Sequence, residues 1–146
     1  MPENAAIYIG DPSVIGTKLF RQLEGVRSHT GLSQDESATG LGFELAAGRI
    51  AMNFMSEGIM AEHLQGFCGY AEHVISNKDR LIYAVSRIQH TRLVLGCVIE
   101  PGFDDEGKIQ DFLFQFNSLV NGLLFLGDTI FDYDGEALGG PLAEQS

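Results

Sequence analysis

The run Leu93-Val94-Leu95-Gly96-Cys97-Val98-Ile99 offers no polar side chain to either face of an extended chain. A strand sends successive side chains to opposite faces, so this run needs cover on both sides. It predicts a central strand, packed between two layers or enclosed in a barrel. Every fold open to this chain must place other elements around these residues. Glu100-Pro101-Gly102 ends the run.

The candidates for that cover follow from periodicity. Leu41, Phe43 and Leu45 alternate with Gly42, Glu44 and Ala46, and Ile50, Met52 and Phe54 alternate with Ala51, Asn53 and Met55. Two runs of period two around Ala47-Gly48 read as a β-hairpin with one face in the core. From Ser56 the period becomes helical: Met60, Leu64, Phe67, Ala71, Val74 and Ile75 form one stripe, with Ser56 as N-cap. A second, shorter helix capped by Asn77 carries Leu81, Ile82, Val85 and Ile88. The clearest helix carries Ile109, Phe112, Leu113, Phe116, Leu119 and Val120, capped by Asp104 or Asp105 and closed by Asn121-Gly122.

At the N-terminus, the apolar run from Ala5 to Ile9 reads as a first strand. Asp11-Pro12 then starts a helix over Ile15, Leu19, Phe20 and Leu23 that stops at Gly25. Arg27 to Gly40 shows no apolar period and reads as a long loop. After the last helix, 123–126 is a strand, and Gly127-Asp128 is a turn or a bulge. Asp134-Gly135 signals a two-residue hairpin between strands at 129–133 and 136–138. The fold class is therefore α+β, a mixed or antiparallel sheet with helices packed on it. Residues 1–140 read as a single domain and 141–146 as a flexible tail. Ile7-Tyr8-Ile9-Gly10-Asp11-Pro12 and Cys97-Val98-Ile99-Glu100-Pro101-Gly102 echo one another. Two β-α-β-β halves, or two uses of one common junction, account for that equally.

Composition then narrows the function. Nine Lys and Arg face twenty Asp and Glu, a net charge of -11. Such a surface repels nucleic acid and anionic lipid and attracts basic partners. The bland account of the same charge is solubility. No apolar stretch approaches the ~20 residues of a membrane span, and the start, Met1-Pro2-Glu3-Asn4, does not read as a signal peptide. Cys68 and Cys97 read as separate buried thiols in a reducing, cytoplasmic setting.

Motifs for chemistry are missing. No phosphate loop, nucleophile elbow or zinc spacing occurs, so the expectation is no catalytic residue, no metal and no cofactor. His63 and His73 lie ten residues apart on one helix, about 15 Å along the axis, and cannot share an ion. Asp128, Asp132, Asp134 and Glu136 cluster, but Asp-Gly turn chemistry explains them. Met52, Met55 and Met60 read as core. The site candidates are basic: Arg80, Tyr83 and Arg87 fall on one helical stripe, followed by His90 and Arg92. They form an anion- or ligand-binding candidate; the plainer account is pairing with the protein's own carboxylates.

Three functions compete. The first is a non-catalytic acidic binding module that holds a basic protein partner, of the size and charge seen in immunity, inhibitor and regulator proteins. The second is a small-molecule-binding or enzymatic α+β domain whose Arg cluster reads an anion. The third is a homodimer formed through hairpin strands or through Phe112, Phe114 and Phe116. Phe114 lies off the main stripe and needs cover from a second subunit or from the chain's own sheet.

Overall fold

The computed structural model describes residues 3–15, 17–23, 26–30, 40–45, 48–101 and 108–141. An eight-stranded sheet forms the middle layer: β1 (Glu3–Ile9), β2 (Val26–Thr30), β3 (Gly40–Leu45), β4 (Gly48–Phe54), β5 (Leu93–Pro101), β6 (Leu123–Leu126), β7 (Thr129–Phe131) and β8 (Ala137–Gly139). Its order is β2-β3-β4-β5-β1-β6-β7-β8, and every neighbouring pair is antiparallel. The fully apolar run lies in β5, at the centre of the sheet, with Cys97 opposite Ala5 on one side and Met52 on the other.

Helices cover both faces, which makes this an α+β fold of three layers. On one face α1 (Thr17–Gln22) and α4 (Lys108–Leu119) pack Leu19, Ile109, Phe112, Leu113 and Phe116 onto Ile7, Ile9, Phe43, Ile50, Met52, Leu95 and Leu124. On the other, α2 (Glu57–Val74) and α3 (Lys78–Gln89) pack Met60, Phe67, Ala71, Ala84 and Ile88 onto Tyr8, Val94, Leu123, Ile130 and Leu138. Alternation along β1 decides the split: Ala5, Ile7 and Ile9 face one layer, Ala6 and Tyr8 the other. The second pair of helices does not reach across β4, whose Arg49, Ala51 and Asn53 remain exposed. That side of the sheet therefore ends beside α2 in an open shelf of small side chains, Ala51, Gly96 and Ala6 among them.

Several local readings change. The expected loop from Arg27 to Gly40 contains a strand: Val26–Thr30 pairs with β3, its register shifted by a bulge between Val26 and Ser28. Residues 31–39 lie outside the described residues. The first helix is split. Asp11 caps a 3-10 turn, Pro12–Val14, by accepting from the Ser13 N–H at 3.1 Å, Ile15 is extended, and α1 follows. The caps expected at Gly25, Asp104 and Asp105 lie outside the described residues. Ser56 stands at the N-cap of α2 but makes no side-chain capping bond, whereas Asn77 Oδ1 accepts from the Arg80 N–H at 3.0 Å. Ile82 is exposed, off the face that α3 buries.

Both chain reversals near the C-terminus are resolved. Gly127 and Asp128, with φ of 59° and 60°, form the two-residue type I′ turn joining β6 to β7. The Asp134-Gly135 turn is longer than expected. The Gly135 N–H donates to Asp132 O at 3.0 Å, and the Asp132 N–H donates to Glu136 O at 2.8 Å, leaving a three-residue loop. Gly135 (φ 88°) takes the left-handed position that this loop demands. The chain stays packed through the last residues assigned to the domain: Gly139 belongs to β8, and a Cβ at Gly140 would stand 2.5 Å from Asp128 O. Residues 142–146 lie outside the described residues.

The two halves share their element sequence, a strand and a helix followed by a three-stranded meander. They dock differently. The meander β2-β3-β4 joins the central pair through its last strand, and β6-β7-β8 through its first.

Candidate functional site

The expected basic cluster lies on α3 and faces the chain's own C-terminal hairpin. Asn77 caps the helix and fixes its start, so spacings of three and four residues bring Arg80, Tyr83 and Arg87 onto one side. Arg80 Nη2 donates to Glu136 Oε1 at 2.8 Å. The Tyr83 hydroxyl donates to Asp132 Oδ1 at 2.9 Å. Arg87 lies 6.0 Å from the Tyr83 ring centroid and donates to the carbonyl of Asn121. His90 is drawn back to its own helix, with Nδ1 2.7 Å from Ser86 O. Arg92 is exposed at the start of the next strand segment, where its backbone N–H donates to Ile9 O.

This arrangement straps α3 to β7 and β8. Asp132 is its buried end, 7% exposed. Besides the Tyr83 hydroxyl, its carboxylate accepts the Tyr133 N–H at 2.9 Å, and its carbonyl accepts from Asn117 Nδ2 at 3.3 Å. Burial, reinforced by the bond to Asp132, pushes the Tyr83 phenol up to about 12, so it stays protonated and donating at neutral pH. Asp134 Oδ1 accepts the Glu136 N–H at 3.0 Å. The acidic cluster is thus divided between turn geometry and helix docking. The buried Asn117 Oδ1 has no hydrogen-bond partner among the described residues.

A different site lies on the same side of the sheet, where α2 meets the open shelf. Burying a tyrosine requires a partner for its hydroxyl. Tyr8, the hydroxyl-bearing residue in the apolar run of β1, is 3% exposed, and its hydroxyl is hydrogen-bonded to His63 Nε2 at 2.8 Å. The two rings are parallel within 7°, with centroids 5.8 Å apart. Phe67, one helical turn on from His63, stacks on Tyr8 at 4.2 Å and 9°. Phe125, from the neighbouring β6, stands nearly upright against Phe67 at 5.4 Å and 82°. Tyr70 extends the stack and donates its hydroxyl to Asp128 O in the β6–β7 turn.

The rings of Tyr8, His63, Phe67 and Phe125 border an open cavity of about 380 Å³. Its floor is Ala5 and Ala6 of β1; its walls are Tyr8, Phe67 and Phe125; its rim on α2 carries Glu62, His63 and Gly66. Burial raises the Tyr8 phenol above its usual value, so Tyr8 is a neutral hydrogen-bonding group and not an activated base. Cys68, half-buried on the same helix, has its thiol raised by burial and by the nearby Glu72 carboxylate. Cys97 packs in the opposite layer, so the sheet separates the two free thiols. Among the described residues no group of three or more His, Cys, Asp or Glu is placed to hold a metal ion, and no helix is long and apolar enough to cross a membrane.

In the sequence, His63 stood out as a histidine too far from His73 to share an ion with it, and Tyr8 and Phe125 did not stand out as site residues. The available signal was the one hydroxyl in Ile7-Tyr8-Ile9. No family model, curated protein or solved structure matches the chain.

Proposed function

We propose that this chain is a non-catalytic binding domain that holds a small, largely apolar ligand in the cavity between α2 and β1. The observation that carries this reading is the cavity itself: apolar side chains line most of it, the Tyr8–His63 pair supplies a polar point on its wall, and Glu62 stands on its rim. That is the composition of small-molecule sites, apolar walls with few placed polar groups, and its volume falls in their usual range. Gly66 adds support. A glycine inside a helix costs roughly 1 kcal/mol relative to Ala, and nothing stands within 4 Å of a Cβ built there. No close contact demands that glycine, while the missing side chain leaves the cavity's rim open.

The test uses indole as a planar apolar probe in an NMR titration. Amides of Ala5, Ala6, Gly66, Phe67 and Phe125 are expected to shift together and saturate. Gly66→Leu is expected to remove that response while stabilising the helix by about 1 kcal/mol, since Leu is a far better helix former. Shifts scattered over the surface, or an unchanged response in the Leu variant, would overturn the reading.

The charge favours a second mode alongside it. If every Lys and Arg took one carboxylate, eleven carboxylates would still be unpaired. A basic protein partner fits that surplus, and nucleic acid does not. Arg80 is engaged by Glu136 of the C-terminal hairpin and Arg87 by the Asn121 carbonyl in the turn after α4, so an anion would have to displace Glu136 from Arg80 to use the α3 stripe. Native mass spectrometry of the protein from its own host tests the second mode. A basic polypeptide that co-migrates at low salt and leaves at moderate salt is expected; a salt-insensitive complex or a homodimer alone counts against it.

A further inference from the structure

We infer that the ligand of this cavity is a small organic cation, a substituted ammonium carrying alkyl or aryl groups. The inference rests on the cavity reading above and adds the charge of the occupant. Three features of the walls converge on it. First, Phe67 and Phe125 meet with their planes 82° apart. Tyr8 lies parallel to Phe67. Two nearly perpendicular sets of rings form a corner, and an ammonium seated against aromatic faces is attracted by the ring quadrupoles. Second, the carboxylate-bearing residue on the rim is Glu62, and no Lys or Arg is among the described residues that line the cavity. Third, the net charge of -11 gives the whole chain a field that raises the local concentration of cations.

An anion finds the opposite conditions. Its one favourable group would be a protonated His63, whose Nε2 is already hydrogen-bonded to the Tyr8 hydroxyl, and Glu62 would repel it. A neutral hydrocarbon would take the apolar walls but leave the rim carboxylate unused. On the floor the side chain that faces this layer is the small Ala6, which admits a bulky ammonium head. Tyr8 and His63 then offer a hydrogen-bonding group to a polar substituent on the ligand.

The experiment compares choline with its uncharged isostere 3,3-dimethyl-1-butanol, both followed by the amide shifts of Ala6, Gly66 and Phe125. Choline is expected to bind about tenfold more tightly, from ring–cation attraction plus a solvent-screened carboxylate. Glu62→Gln is expected to weaken choline by about threefold and leave the alcohol unchanged, because a screened ion pair contributes little more than that. Raising salt should weaken choline alone. Equal affinities for the two probes would overturn the cationic assignment and leave the cavity reading standing. If neither probe moves these amides while indole does, the cavity is real and the assignment is again overturned. If indole fails as well, both readings fall.

Discussion

Phe116→Ala is expected to lower the unfolding free energy by about 3–5 kcal/mol, the range for removing a buried phenylalanine ring. Phe116 is fully buried. It meets Phe43 at 5.9 Å and 68°, and Phe112 at 6.3 Å and 44°, so one ring ties α4 to β3 through an aromatic triad. The space it would leave is bounded by a helix on one side and a sheet on the other, and neither collapses freely, so the cost includes the cavity as well as the lost transfer energy. Domains of this size are stable by about 5–15 kcal/mol, so the variant should remain folded with a much lower denaturation midpoint and an unchanged denaturant slope. A loss under 1 kcal/mol would mean that the triad is not the core of its layer. The α2–β1 cavity lies across the sheet, among Tyr8, Phe67 and Phe125. Its response to indole should therefore survive the substitution in the folded fraction.

That separation of layers was half legible in the sequence. Periodicity gave the buried stripe of α4 and the two-faced run of β5, because burial on one or both faces writes itself into the spacing of apolar residues. Strand order left no such trace. Nothing in Ile50 to Phe54 or Ile7 to Ile9 says that β4 and β1 both flank β5, since pairing partners are chosen by long-range packing. The strand at Val26–Thr30 escaped because Arg27, Ser28, His29 and Thr30 carry no apolar alternation. It lies at the edge of the sheet, paired on one side with β3, where one row of backbone bonds suffices to hold it. The same limit applied to the sites. Helical spacing correctly put Arg80, Tyr83 and Arg87 on one side of α3. Their contacts, Glu136, Asp132 and the Asn121 carbonyl, sit 34 to 56 residues away in sequence. A local pattern identifies a charged stripe but not what it touches. The Tyr8–His63 pair, 55 residues apart, was hidden for the same reason. Phe114 was the informative exception: off the α4 stripe, it needed cover, and the edge-to-face contact with Phe131 at 4.9 Å supplies it from the chain's own sheet.

Alkaline unfolding provides the second large effect, through Cys97. Burial in the central strand pushes this thiol up to about 12, against 9.0 for an ordinary one. A raised pKa means that the folded state disfavours the thiolate. Below pH 9 both states hold the proton and nothing is lost. Above it the unfolded chain ionises while the folded chain does not, so stability falls with rising pH until the folded thiol also titrates. At about 1.4 kcal/mol per pKa unit the loss comes to about 1 kcal/mol between pH 9 and 10, and about 4 kcal/mol by pH 12. Tyr83, also raised to about 12, and Tyr8, raised by burial, act in the same direction from pH 10 upward. Cys97→Ala separates them: it should be less stable than the parent at pH 7, having lost a buried sulfur, yet fall less steeply from pH 9 to 10. Denaturant midpoints measured at pH 7, 9 and 10 read the difference directly. Equal slopes in the two proteins would mean that the folded thiol ionises with the unfolded one. Water would then have to reach Cys97 in the layer between the sheet and α4, and a packed core on that face would not describe this chain.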